Sequence, residues 1–204
     1  MSKLALRPGQ VVVDVGCGSG LCFASIERAI GPAGRLIGIE PCPELRARAA
    51  GRVADHGWAN VTLVAATAQE AELPERPEAV LFAFTHDVLR SPAALANVLG
   101  QARPAARVAA AGPKWSLWAP WLNLATWYVA REFVTTFEGF ARPWSELAGF
   151  VPELRVEPAW FDTVYVAWGP LDPSGSRRRT RPASPPAHWA QVRSPMTHSH
   201  SSRW

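Results

Sequence analysis

Apolar residues enter this chain in short continuous runs separated by stretches in which they recur at helical spacing. The first run, 10–15, closes on Asp14-Val15-Gly16 and has the pattern of a strand buried on both faces. Across 21–30, Phe23, Ile26, Ala29 and Ile30 share one helical face, and Gly31-Pro32 stops that helix. A second buried strand is predicted over 35–40. The helix that follows, 44–54, sets Leu45, Ala49 and Val53 on one face and turns Arg46, Arg48 and Arg52 outward. Strands are predicted over 61–66, 79–84 and 107–112, with a helix over 93–102. Strands alternating with helices through short connections predict an α/β fold, a mostly parallel twisted sheet with helices on both faces. Two extended segments, 154–161 and 163–168, then lie close enough to form a C-terminal antiparallel hairpin joined around Asp162.

Between the fifth strand and the hairpin the texture changes. Residues 113–145 are the most aromatic stretch of the chain, Trp115, Trp118 and Trp127 among them, with a helix predicted over 121–134. Beyond the hairpin the sequence is rich in Pro, Ser and Arg and has no periodicity. The expected organisation is one domain over 1–170 and a disordered tail over 171–204.

Charge sharpens this division. The chain carries 21 basic and 17 acidic residues, for a net charge of +4. Six arginines and no acid follow Asp172, so residues 1–172 have fifteen basic against seventeen acidic residues. A phosphate-steering surface would have to come from the tail alone, and no nucleic-acid partner is expected. No apolar run approaches the roughly 20 residues that span a bilayer, so no membrane partner is expected either. Three cysteines clustered in the first quarter, without metal-ligand spacing, suit reduced thiols and a cytoplasmic location. The oligomeric state is left open.

The chemistry concentrates after the first strand, in Asp14-Val15-Gly16-Cys17-Gly18-Ser19-Gly20. Glycines there let backbone approach a ligand through φ values that other residues resist, and a helix start lies just beyond. A dinucleotide site wants G-x-G-x-x-G, whose third small residue would fall on Leu21. An acid followed by G-x-G-x-G instead resembles motif I of class I (Rossmann-like) methyltransferases. That resemblance implies S-adenosylmethionine as cofactor, cradled by Asp14, Gly16, Cys17, Gly18 and Gly20. Glu40 closes the second strand, where an acid accepts from ribose hydroxyls in both cofactor families.

The same resemblance implies adenine contacts from Thr67 and Ala68, although Thr67 stands where the family often has an acid. It implies that Phe84 faces the methyl donor, with His86 a candidate general base as well as a candidate helix cap. Residues 102–107 sit where the family reads a Pro-Gly-Gly turn, with Ala105 and Ala106 replacing both glycines. In this family the segment before the hairpin folds over the cofactor. Residues 113–145 are therefore expected to act as an aromatic lid, with Lys114, Trp115 and Trp118 touching a small, apolar or aromatic acceptor. Direct displacement at the methyl carbon relies on orientation and water exclusion more than on an acid–base pair. A non-catalytic cofactor-binding protein is the first alternative, and an RNA or protein methyltransferase the second.

Overall fold

The computed structural model describes residues 2–116, 119–131 and 137–173. The first half alternates β1 (Val11–Val15), α1 (Phe23–Ile30), β2 (Arg35–Ile39), α2 (Pro43–His56), β3 (Val61–Val64) and β4 (Ala79–Ala83). A four-residue helix α3 (His86–Leu89), α4 (Pro92–Gly100), β5 (Arg107–Pro113) and α5 (Leu122–Ala130) follow. The hairpin is β6 (Arg155–Ala159) and β7 (Val164–Pro170). All seven strands form one sheet in the order β3-β2-β1-β4-β5-β7-β6. β1 to β5 run parallel, and β7 pairs antiparallel with both β5 and β6. The expected α/β sheet with a C-terminal antiparallel hairpin is the sheet observed.

Both faces of the sheet are covered, which is why its strands read as unbroken apolar runs. Val11, Val13 and Val15 join one cluster with Val80, Phe82 and the α4 residues Leu95, Val98 and Leu99. Val12 points the other way, into a cluster built on Phe23, Ile26 and Ile30 of α1. Asp14 shares the Val12 face by alternation and lies buried there. Before β1, the single 3-10 turn Ser2–Leu4 is tied down more firmly than its length suggests. Leu4 is buried, the Lys3 ammonium sits 3.8 Å from the Trp168 ring centroid, and it pairs with Glu157 at 2.6 Å.

Several expected boundaries move. β4 stops at Ala83, because Phe84 takes a left-handed φ of 59° and leaves the strand. The hairpin turn claims Trp160, Phe161 and Asp162, all at positive φ, so β6 ends two residues before the expected position. Arg46 and Arg52 do not simply point outward from α2 but reach back to backbone carbonyls. Leu171 and Asp172, assigned to the tail, are buried and bonded to the domain through Ala106 and Phe150. The expected tail beyond Pro173 and the C-terminal part of the expected 121–134 helix lie outside the described residues.

Candidate cofactor and active site

β1 and β4 are neighbours, yet the chain leaves β1 toward β2 and returns to β4 from the far side of β3. Strand order therefore reverses between them, and in open parallel sheets ligands bind in the crevice at that reversal, outside the strands' carboxyl ends. The glycine motif leaves β1 at this place. Gly16 has φ 66°, and a Cβ on it would lie 2.5 Å from the Thr85 methyl group. The loop after β1 and the turn after β4 thus close on each other with no room for a side chain. Gly18 also has a left-handed φ, 56°, but a Cβ there would meet nothing within 4 Å. That is the cleared space a ligand needs to lie against backbone.

Glu40, at the end of β2, spans the loop. Its Oε2 accepts from the Gly18 N–H at 3.0 Å, and its Oε1 accepts from the Cys42 N–H at 2.9 Å. Each carboxylate oxygen has a further lone pair, so the contact expected for a ribose hydroxyl is compatible with these bonds. From α2, the Arg46 guanidinium donates to the Glu40 carbonyl at 2.9 Å, and Arg52 Nε donates to the Ser19 carbonyl at 3.1 Å. Sequence reasoning missed both arginines, since helical spacing shows which face a residue occupies but not that a long side chain folds back. Cys17 has a different place from the one expected. Its thiol is buried under the loop, where a Cβ on Gly38 would strike the sulfur at 2.9 Å. Its N–H donates to Ile39 and its carbonyl accepts from Gly20. Cys17 shapes the loop from inside; burial, reinforced by the neighbouring Asp14 and Glu40 charges, pushes its thiol pKa well up.

Asp14 is the electrostatic anomaly. Its Oδ1 is buried without a hydrogen-bond partner among the described residues, and burial raises the carboxyl to about 7. The Thr85 hydroxyl, likewise buried and without a partner among the described residues, follows β4 on the residue whose methyl group closes on Gly16. A cofactor bearing hydrogen-bond donors and an ammonium group fits these orphaned oxygens and the space over Gly18. Asp14, Gly16, Gly18, Gly20 and Glu40 are the residues positioned to hold it. Thr85 joins them; its signal was its place two residues past β4, directly before His86.

Farther along the carboxyl edge, the Thr67 hydroxyl donates to Glu70 at 2.9 Å, and the carbonyl of buried Ala68 accepts from Asn97 at 3.0 Å. From β4 across β1 and β2 to β3 is about 14 Å at the usual strand spacing, the reach of an extended nucleoside with its side chain. On the other side of the crevice, Phe84 is 64 % exposed, with its N–H held by the Ala111 carbonyl at 2.7 Å.

The acceptor side needs three corrections. His86 does not present itself as a general base. Its ring is buried, lies against Phe140 with centroids 5.2 Å apart, and has Nε2 3.3 Å from the Glu138 carbonyl. Lys114 is not open to a substrate, because it is buried and paired with Asp162 at 2.5 Å, pinning the hairpin turn to the end of β5. Trp115 stacks on Phe137, with centroids 5.5 Å apart, and leans on buried Phe140, which gives it a packing role beside the crevice. Trp118 lies outside the described residues.

Comparison with known proteins agrees with this geometry. A methyltransferase-domain family model matches residues 12–107. A solved S-adenosylmethionine-dependent methyltransferase from Aquifex aeolicus has the same fold, with TM-score 0.62 and 19 % identity over 83 % of this chain and 86 % of that one. The N-methyltransferase NodS of Bradyrhizobium japonicum, in complex with S-adenosyl-L-homocysteine, superposes with TM-score 0.58 and 15 % identity over 83 % and 81 % of the two chains. In sequence, 72 residues are 38 % identical to a protein-L-isoaspartate O-methyltransferase of Ignicoccus hospitalis, covering 35 % of this chain and 34 % of that protein. The chain matches about a third of the length of the curated relatives found. By fold and by motif it resembles the class I S-adenosylmethionine-dependent methyltransferases, with the methyltransferase-domain match confined to residues 12–107. S-adenosylmethionine is the cofactor of that class.

Proposed function

We propose that this chain transfers a methyl group from S-adenosylmethionine to a small, apolar or aromatic acceptor. The observation that carries the reading is the glycine loop at the sheet's switch point, held by Glu40, with open space over Gly18 and an unpartnered Asp14 oxygen. When bound, the cofactor supplies an electrophilic methyl carbon that a nucleophile takes by direct displacement. The chain's own contribution is placement. Glu40 fixes Gly18, and the tight Gly16–Thr85 contact sets the distance between the cofactor loop and the β4 turn. Phe84 offers an aromatic face at the mouth, which attracts a sulfonium cation and excludes water. A thiol, phenolate or amine acceptor needs little proton transfer, which agrees with the burial of His86 after β4. An apolar acceptor is favoured over RNA because the part of the chain before the tail carries more acids than bases.

Two measurements test this reading. Calorimetry should show S-adenosylmethionine binding and no comparable binding of NADH. A coupled assay for S-adenosylhomocysteine should then detect turnover with members of a panel of aromatic thiols, phenols and amines, and none with RNA. NADH binding more tightly than S-adenosylmethionine would overturn the cofactor reading. Turnover confined to RNA would overturn the acceptor reading.

A further inference from the structure

A normal surface helix turns its apolar stripe inward, and α5 does the reverse. Its polar residues Asn123 and Thr126 are half-buried, and Asn123 is bonded through its side chain to both the N–H and the carbonyl of Ser116. Trp121, Leu124, Ala125 and Tyr128, spaced i, i+3, i+4 and i+7, form the outward stripe. Ser116 also donates to the Phe161 carbonyl at 3.0 Å, so the hairpin turn sits beside the start of α5. Trp160 and Phe161 on that turn, with Trp121, Leu124 and Tyr128, are each 60–85 % exposed. Large apolar side chains gathered this way on the outside of a domain mark a surface that meets something apolar.

We infer that this face docks on an anionic lipid surface. Trp, Tyr, Phe and Leu with flanking arginine are the residue types that settle at a bilayer's headgroup boundary. Arg131 stands at the end of the stripe, its guanidinium 4.3 Å from the Tyr128 ring centroid and 5.5 Å from that of Trp127. The remaining charge favours lipid over a second copy of the chain. Six arginines and no acid follow Asp172, a segment that repels its own copies and is drawn to anionic headgroups. An apolar contact and a basic segment are the two signals that stable peripheral attachment requires. The sequence argued against a membrane partner because it lacks a spanning segment, and among the described residues no helix is long and apolar enough to cross. Lying on the surface needs none.

The test is co-sedimentation of the full chain with vesicles of phosphatidylglycerol and phosphatidylcholine in equal parts, against phosphatidylcholine alone. Preferential binding to the anionic vesicles, at least tenfold, is expected, together with a blue shift of tryptophan emission. The double variant Trp121→Asp/Leu124→Asp should lose binding at least tenfold while keeping its melting temperature and S-adenosylmethionine affinity. A second variant, Trp160→Asn/Phe161→Asn, suits the left-handed turn, since Asn tolerates positive φ, and should weaken binding in the same way. Binding that is equal in all variants would show that the basic segment acts alone, and no binding would show that the face meets something else; either overturns the inference. So would a dimer in sedimentation equilibrium that the α5 variant abolishes. Loss of cofactor binding alone in the wild-type chain would strike the proposed function and leave this inference standing.

Discussion

Replacing Phe84 by glycine and by alanine separates backbone strain from ring chemistry at one position. Phe84 holds φ 59°, a left-handed conformation costing a residue with a Cβ about 1–2 kcal/mol. Glycine escapes that cost but loses about 0.5–1 kcal/mol more chain entropy on folding. The ring is 64 % exposed, so both substitutions give up the same small part of a burial worth about 1.5–3 kcal/mol. Everything except the Cβ cancels between the two variants. Phe84→Gly should therefore be more stable than Phe84→Ala by about 0.5–1 kcal/mol, or about 1–4 °C in Tm for a chain of this size. At an ordinary exposed position inside a strand or helix the order is the opposite, with alanine ahead. Thermal unfolding read by near-UV circular dichroism measures it, and an alanine variant that melts with or above the glycine variant refutes the strain argument. Function should follow the ring and ignore the backbone. If the ring faces the sulfonium, losing a contact of about 0.5–2 kcal/mol weakens S-adenosylmethionine binding between twofold and about thirtyfold, equally in both variants. Unchanged affinity in both would remove Phe84 from the cofactor site.

Four other outcomes are expected. Gly18→Val fills the open space above the loop and should abolish S-adenosylmethionine binding in calorimetry, whereas binding within a few-fold of wild type would show that the cofactor lies elsewhere. Glu40→Ala frees the Gly18 N–H and removes a charged acceptor, so affinity should fall by about 1.5–3 kcal/mol, tenfold or more. Ala105 sits at φ 60° where the family carries glycine, so Ala105→Gly should hold or raise Tm in scanning calorimetry, with a clear loss counting against strain at this turn. Asp14 is raised from 3.8 to about 7 by burial, so the folded state binds its proton more tightly than the unfolded chain does. Its contribution to stability is then greatest below pH 4, declines as pH rises toward 7 by on the order of 4 kcal/mol at most, and is flat above; denaturant titrations of Asp14→Asn should lack that slope.

What the sequence made legible was whatever depends on periodicity or on glycine. Strands buried on both faces announce themselves as apolar runs, so β1, β2, β4 and β5 fall within a residue or two of their expected positions. The cofactor loop was legible because only glycine suits its turns. Positions set by tertiary contact were not. Phe84 reads as a strand residue, yet it takes a left-handed φ where Thr85 closes on Gly16, a contact between distant loops. Lys114 reads as a free cation at a strand end, and its partner Asp162 lies 48 residues away across the hairpin. His86 has the residue type of a base, but its ring packs on Phe140 and faces the Glu138 carbonyl, more than fifty residues along the chain. The aromatic segment was expected to behave as one lid. It divides instead into a cluster packed beside the crevice and a helix that turns its apolar stripe to the outside.

The two acids on the carboxyl edge show why such a site can be rigid and still receptive. Glu40 is satisfied on both oxygens by backbone N–H groups, and Arg46 and Arg52 hold the carbonyls around it. The loop's geometry is thus set before any ligand arrives, and the ordering cost of binding falls accordingly. Asp14 is left with a buried oxygen that none of the described residues satisfies, a cost borne by the fold. An arriving ammonium group relieves that cost and favours the ionised carboxylate. Affinity should accordingly rise with pH toward neutrality and lose that dependence in Asp14→Asn. Glu40 is the acid that builds the cradle, and Asp14 is the acid that the cradle leaves for the ligand.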